Sequence, residues 1–205
     1  MTLLLIAANV AVFLYELRLA GMNELKAFLL DHSLVAERFF DERGPLQWFT
    51  IVSSMFLHGG WMHLIGNMWF LWVFGNNIED VMGCWRFIFF YLICGEAAAG
   101  AQLWIDPHAT APMIGASGAV SGVLGAYLLL FPRARVLTLI PFVFVWMVEV
   151  RAWFFLIFWA LLQFLNGLPA LLFESAGRSG GGVAWWAHIG GFVAGMVLIH
   201  IFKKR

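Results

Sequence analysis

Ser117 and His188 are the residues of this chain whose types suit nucleophilic catalysis: a hydroxyl that attacks once its proton is removed, and an imidazole able to remove it. Gly115 and Gly118 flank the serine in MIGASGAVSGVLGAYLLLF, residues 113–131, and leave the backbone bare on both sides of the hydroxyl. In AHIGGFVAGM, His188, Gly191 and Gly195 fall at i, i+3 and i+7 and therefore share one helical face. Acyl transfer also needs donors where the carbonyl oxygen turns negative. His63 and Asn67, four residues apart on one face, are candidates, and backbone amides at the head of the serine helix add to them. Taken singly, each has a blander reading. A serine in an apolar helix usually bonds back to a carbonyl, and polar residues near helix ends are often interfacial. Their joint occurrence favours chemistry. No carboxylate lies near His188 in sequence, so a Ser-His pair without an acidic third member is expected. Zinc fits His63 and Asn67 poorly, because it takes three or four nitrogen, sulfur or carboxylate ligands and asparagine is a poor one.

These residues must be positioned by membrane helices. Hydrophobic residues make up 62% of the 205 residues and charged residues 12%, against about 25% charged in a soluble domain. Six spans are expected, at about 3–19, 59–76, 86–104, 114–131, 152–172 and 184–202, in a single domain over residues 1–205. At about 1.5 Å per residue the serine run reaches roughly 28 Å, close to a hydrocarbon core, with Ser117 about one turn inside it. Gly118, Gly122, Gly125 and Ala126 give that helix a small-residue face, which the Gly191 and Gly195 face of the sixth span can press against. Residues 21–47 mix charges with Phe and Leu, as interfacial amphipathic helices do. The run 136–148, short and interrupted by Pro141, is expected as an apolar loop at the membrane surface or against the bundle. The fifth span is expected to be interrupted near Gly167 and Pro169.

Parity and charge orient the chain. With six spans, the second, fourth and sixth run in one direction, so His63, Ser117 and His188 fall near one membrane face. Arg86, Arg133, Arg135, Arg151, Lys203, Lys204 and Arg205 share the other side, which places both termini in the cytoplasm and the polar cluster outward. The first span has no basic leader and no small-residue cleavage site, so it is read as a span and not a signal peptide. The net charge of zero gives no argument for nucleic acid. Cys84 and Cys94 read as free thiols. Glu96, inside the third span, is costly in lipid and is expected to be functional or buried against a partner.

In this order, each on its own span, HGGWMHLIGN with His58, His63 and Asn67, GASG with Ser117, and AHIGGFVAG with His188, Gly191 and Gly195 resemble the motifs of the rhomboid intramembrane serine proteases. The turn with Glu79, Gly83 and Arg86 also resembles that family, and the resemblance covers essentially the whole chain. It implies an all-α polytopic membrane protein, a six-transmembrane-helix rhomboid-like bundle in a bacterial inner or plasma membrane. Ser117 would be the nucleophile, His188 the base and then the acid, and His63 with Asn67 part of the oxyanion site, without metal or cofactor. Its partners would be the lipid bilayer and substrate proteins cut within their transmembrane segments, near a small residue where the helix unwinds. One turn after the serine, where some members carry an aromatic ring under the histidine, this chain has Ser121. The Trp-Arg pair many members have in the first loop is replaced by Glu37-Arg38 and Glu42-Arg43.

Water must reach such a site. An outward-facing cavity lined by His58, His63, Asn67, Ser117 and His188, with Gly115, Ala116 and Gly118 around the nucleophile, would admit it, and the glycine-rich residues 177–182 are a candidate lid. Substrate would enter beside the fifth span, past Phe154, Phe155, Phe158 and Trp159. Two other classes compete. A non-cleaving relative that binds transmembrane helices would be expected to lack Ser117 or His188. A transporter would account for Glu96, but the chain has no internal repeat and no ionisable path across the bilayer.

Overall fold

The computed structural model describes residues 1–42, 44–141, 145–172 and 183–204. The candidate lid, residues 177–182, lies outside the described residues. Nine α-helices are described: α1 (Thr2–Gly21), α2 (Leu25–His32), α3 (Ala36–Glu42), α4 (Pro45–Ser53), α5 (Trp61–Met82), α6 (Cys84–Ile105), α7 (Ser117–Leu130), α8 (Ala152–Leu172) and α9 (Trp185–Phe202). Among the described residues, four helices are long and apolar enough to cross a membrane: α1, α6, α8 through Pro169, and α9. α5 is as long as α6 but carries Asn67, Asn76, Asn77, Glu79 and Asp80, and α7 is shorter. The short helices α2 to α4 cover residues 25–53, inside the stretch expected to be amphipathic.

α7 is the axis of the bundle. Every residue from Gly118 to Tyr127 is buried, so this apolar helix faces protein rather than lipid. It packs on α9 and α6 through glycine and alanine. A Cβ on Gly191 would stand 2.0 Å from the Gly118 carbonyl oxygen, one on Gly195 1.9 Å from that of Gly122, and one on Gly125 2.0 Å from that of Phe192. Ala98 and Cys94 of α6 fill the next shell, against Gly118 and Gly122. The expected glycine-to-glycine face is therefore the central contact of the fold. Cys94 is buried there and Cys84 is exposed, both as free thiols.

Several boundaries differ from the sequence expectation. α7 begins at Ser117, not near 114, because Gly115 has φ +123° and Met113 is paired with Leu34 in an antiparallel bridge. Its 14 residues rise about 21 Å, short of a hydrocarbon core of about 30 Å, so the serine heads its helix below a plug of loop. α5 runs on through Asn76 and Asn77 to Met82; the chain turns only at Gly83, whose φ of +81° suits glycine. α8 continues through Gly167 and Pro169 to Leu172. The run expected as an apolar loop is an antiparallel hairpin, β1 (Arg135–Pro141) with β2 (Val145–Arg151), in register Arg135 to Arg151 and Leu139 to Met147. Its β-branched and aromatic content favours strands over a disordered surface loop.

The packing makes two glycine-to-alanine changes opposite in sign. Gly195→Ala is expected to lower stability by about 1–3 kcal/mol through overpacking, whereas Gly100→Ala on α6, with open space around it, is expected to be neutral or stabilising by up to about 1 kcal/mol. Unfolding in detergent checks both.

Candidate active site

The first turns of α5, α7 and α9 meet in one cavity of about 310 Å³, lined by His63, Asn67, Ser117, Ser121 and His188 with apolar residues around them. The three helices therefore start at the same end of the bundle, as parity requires. Ser117 Oγ lies 2.8 Å from His188 Nε2. The glycine contacts of α7 and α9 set that distance, since no larger side chain holds the two backbones apart.

The opposite nitrogen of the imidazole, Nδ1, lies 2.8 Å from Oε1 of Gln163 on α8. The rings of Trp159 and Trp185 flank His188 at centroid distances of 6.0 and 6.1 Å. Sequence reasoning missed Gln163. Its signal was a single amide in the apolar run FFLIFWALLQF, where a polar side chain needs a partner. Ser121 does not approach the imidazole as an aromatic ring would; its hydroxyl donates to the Ser117 carbonyl oxygen at 2.6 Å.

Across the cavity, His63 and Asn67 stand against Gly115. A Cβ on Gly115 would lie 2.7 Å from His63 Nε2 and 3.7 Å from Asn67 Nδ2, so only glycine lets the serine loop pass so close to both. His63 Nδ1 accepts the Gly59 N–H at 3.4 Å, which leaves Nε2 as the nitrogen that carries a hydrogen. Asn67 Nδ2 is buried and has no hydrogen-bond partner among the described residues. α7 has no capping side chain either, so its first amides also lack a side-chain acceptor. Three sources of donors thus face the space beside the serine hydroxyl.

The serine loop is tied down by backbone bonds from Gly115 N–H to the Ser54 carbonyl at 2.8 Å and between Leu34 and Met113 at 2.7 and 3.2 Å. Gly115 and Gly118 line the cavity, whereas Ala116 is fully buried behind it. His58 also stands behind the wall, its ring 5.1 Å from that of His63 and its backbone N–H donating to the Glu16 carboxylate. Burial, with His63 adding to it, lowers the His58 pKa to about 4, and the bond to the Phe56 carbonyl opposes this only in part. His58 therefore stays neutral near pH 7. Glu96 is exposed in the single chain and lines a separate groove with Phe39, Trp48 and Trp104. Glu96, expected as functional or buried against a partner, is thus not part of this cavity.

A bundle of apolar helices enclosing a cavity in which a serine and a histidine are paired is the architecture of an integral membrane protein. Residues 45–205 match the Rhomboid domain family model, and the chain belongs to the rhomboid family. It is 30% identical to Rhomboid protein 1, mitochondrial, of Saccharomyces cerevisiae, over 94% of this chain and 50% of that protein. It is 34% identical to Rhomboid protease GluP of Bacillus subtilis, over 62% of this chain and 24% of that protein. Rhomboid protease AarA of Providencia stuartii is 25% identical, over 97% of this chain and 70% of that protein. The chain spans about half the length of the first of these relatives.

A serine bonded to a neutral histidine should react with fluorophosphonates. Labelling is expected at Ser117 and should fall about 10²–10⁴-fold in His188→Ala, the usual contribution of a general base; mass spectrometry of the labelled peptide checks both points.

Proposed function

We propose that this protein is an intramembrane serine endopeptidase that cleaves transmembrane segments of other membrane proteins with Ser117 and His188. The observation that carries the reading is the 2.8 Å contact between Ser117 Oγ and His188 Nε2 in a cavity whose far wall presents unpartnered donors. Family membership and relatives named as proteases support it.

In the reaction, Ser117 Oγ attacks the scissile carbonyl carbon as its proton passes to His188 Nε2. The carbonyl oxygen becomes an anion held by Asn67 Nδ2, His63 Nε2 and the first amides of α7. The intermediate collapses, the peptide C–N bond breaks, and the leaving amine takes the proton from His188. Water then attacks the Ser117 ester, giving its proton to His188; the bond from the carbonyl carbon to Ser117 Oγ breaks, Ser117 Oγ takes the proton back from His188, and the second product leaves with a new carboxylate. No metal or cofactor is required by these steps. The cavity supplies the water that lipid does not.

Substrate enters from the bilayer between α5 and α8. Phe155 of α8 closes that seam by packing on Phe70 and Phe74 of α5, at centroid distances of 6.1 and 6.3 Å. Trp159 faces His188 and Phe192. Phe154 and Phe158 stack on each other and are half exposed, so they are not the latch. The distribution of basic residues supports termini in the cytoplasm and a cavity mouth on the outer side of a bacterial inner or plasma membrane.

The test is cleavage of a single-span substrate by the purified protein in detergent. Ser117→Ala and His188→Ala are expected to abolish it. Asn67→Ala should lower kcat about 10²–10³-fold with little loss of stability, since its amide nitrogen makes no bond in the resting fold. Folded parent protein that cleaves no tested substrate would instead support a helix-binding, non-cleaving role. Phe155→Ala is expected to raise the cleavage rate and Phe158→Ala to leave it unchanged; equal effects would place the opening elsewhere.

A further inference from the structure

A Ser-His pair needs something to hold the imidazole; the third member of a hydrolase triad is usually a carboxylate, and among the described residues none bonds to His188. Three observations converge on a neutral side chain. Gln163 Oε1 lies 2.8 Å from His188 Nδ1. The amide is oriented by its other end, since Gln163 Nε2 donates to the Trp159 carbonyl oxygen at 3.2 Å, which turns the oxygen toward the histidine. Both groups are buried, Gln163 at 7% and His188 at 9% exposure, so neither is held by water.

We propose that Gln163 is the positioning residue of the site: its amide oxygen accepts the His188 Nδ1–H and so fixes the tautomer and ring orientation that present the Nε2 lone pair to Ser117. This rests on the Ser-His reading of the active site. For the Ser117 hydroxyl to donate to Nε2, that nitrogen must be bare, so the ring hydrogen is on Nδ1 and needs an acceptor. Gln163 Oε1 is the acceptor the structure places there. When Nε2 takes the serine proton, the Nδ1–H···O bond persists and strengthens, because its donor is now part of a cation. No proton leaves Nδ1 at any step.

An amide suits this position better than a carboxylate. An ionised acid would have to be desolvated inside an apolar helix bundle, a cost that its attraction to a resting, neutral histidine would not offset. The amide orients the ring without a net charge. Trp159 and Trp185 limit the tilt of the ring from its sides. Together they occupy the role left open by Ser121, whose hydroxyl is committed to its own helix. Among the described residues, His63 is the titratable group that acts electrostatically on His188, so a charge introduced at 163 would be read against a simple background.

The experiment compares parent, Gln163→Leu and Gln163→Glu in detergent, with kcat and KM for a single-span substrate measured as a function of pH and folding monitored by thermal unfolding. Leucine removes the acceptor at similar volume; glutamate keeps an acceptor and adds charge. Gln163→Leu is expected to lower kcat about 10–100-fold with KM unchanged, the usual effect of losing a partner that orients a functional histidine. Gln163→Glu is expected to retain more activity than Gln163→Leu and to move the acidic limb of kcat/KM to higher pH. The sign follows because a carboxylate stabilises the imidazolium, raises its pKa and so keeps the base protonated to higher pH. Parental kcat in Gln163→Leu would overturn the proposal. So would equal losses in both variants with the acidic limb unmoved, which is the pattern of a residue that only packs. If Gln163→Leu does not fold, the acidic limb of Gln163→Glu decides: displaced supports the proposal, unmoved rejects it. Ser117→Ala and His188→Ala run beside these. Cleavage by either would sink the Ser-His reading itself, whereas dead controls with unaffected Gln163 variants would sink the positioning role alone.

Discussion

The contact of bare backbone on bare backbone between α7 and α9 is what the rest of this protein depends on. Lipid is as apolar as leucine, so membrane helices gain little from hiding apolar surface against each other and associate through close van der Waals packing. Gly118 and Gly122 on one helix and Gly191 and Gly195 on the other allow approach to the point where any Cβ would overlap a carbonyl oxygen. Ser117 and His188 are carried at the leading ends of these helices. Their separation is thus a property of the glycine seam more than of the two side chains themselves.

A second constraint is the cost of polar groups in such a setting. Each polar residue around His188 is accounted for: Ser117 and Gln163 bond to its two nitrogens, and Gln163 and Ser121 bond to backbone carbonyls. Asn67 is the exception, with a buried and idle donor. Leaving a buried donor unpaired is destabilising by roughly 1–3 kcal/mol. The short α7 belongs to the same design, since starting the helix at Ser117 leaves room for a cavity that a full-length span would fill.

Much of this was legible in the chain order. The spacing of His63 with Asn67, and of His188 with Gly191 and Gly195, projects each set on one face whatever the surroundings, because helical periodicity is local. Parity of the spans then brought the three helix starts to one end. Local pattern misled where apolar sequence has more than one use. The residues before Ser117 are as apolar as those after it, yet they form loop because Gly115 takes a positive φ and Met113 pairs with Leu34. The run 136–148 offers β-branched and aromatic residues that fit a hairpin, but too short an apolar stretch to distinguish strand from surface loop. The second span, expected to end near residue 76, runs on as helix through Asn76 and Asn77, the break being Gly83.

The sequence by itself determined the class of molecule and the helices that carry Ser117, His188, His63 and Asn67, because composition, periodicity and helix direction act within single segments. Only the tertiary structure decided which side chains touch. Gln163 precedes His188 by 25 residues, on a helix whose rotation and height are set by packing and not by its own pattern. The same holds for Phe155 rather than Phe154 or Phe158 closing the seam to α5, for His58 standing behind the cavity wall, and for Glu96 lying in a different groove. Contacts between helices depend on how far each is turned and shifted against its neighbours, and those two quantities are written in the assembled bundle alone.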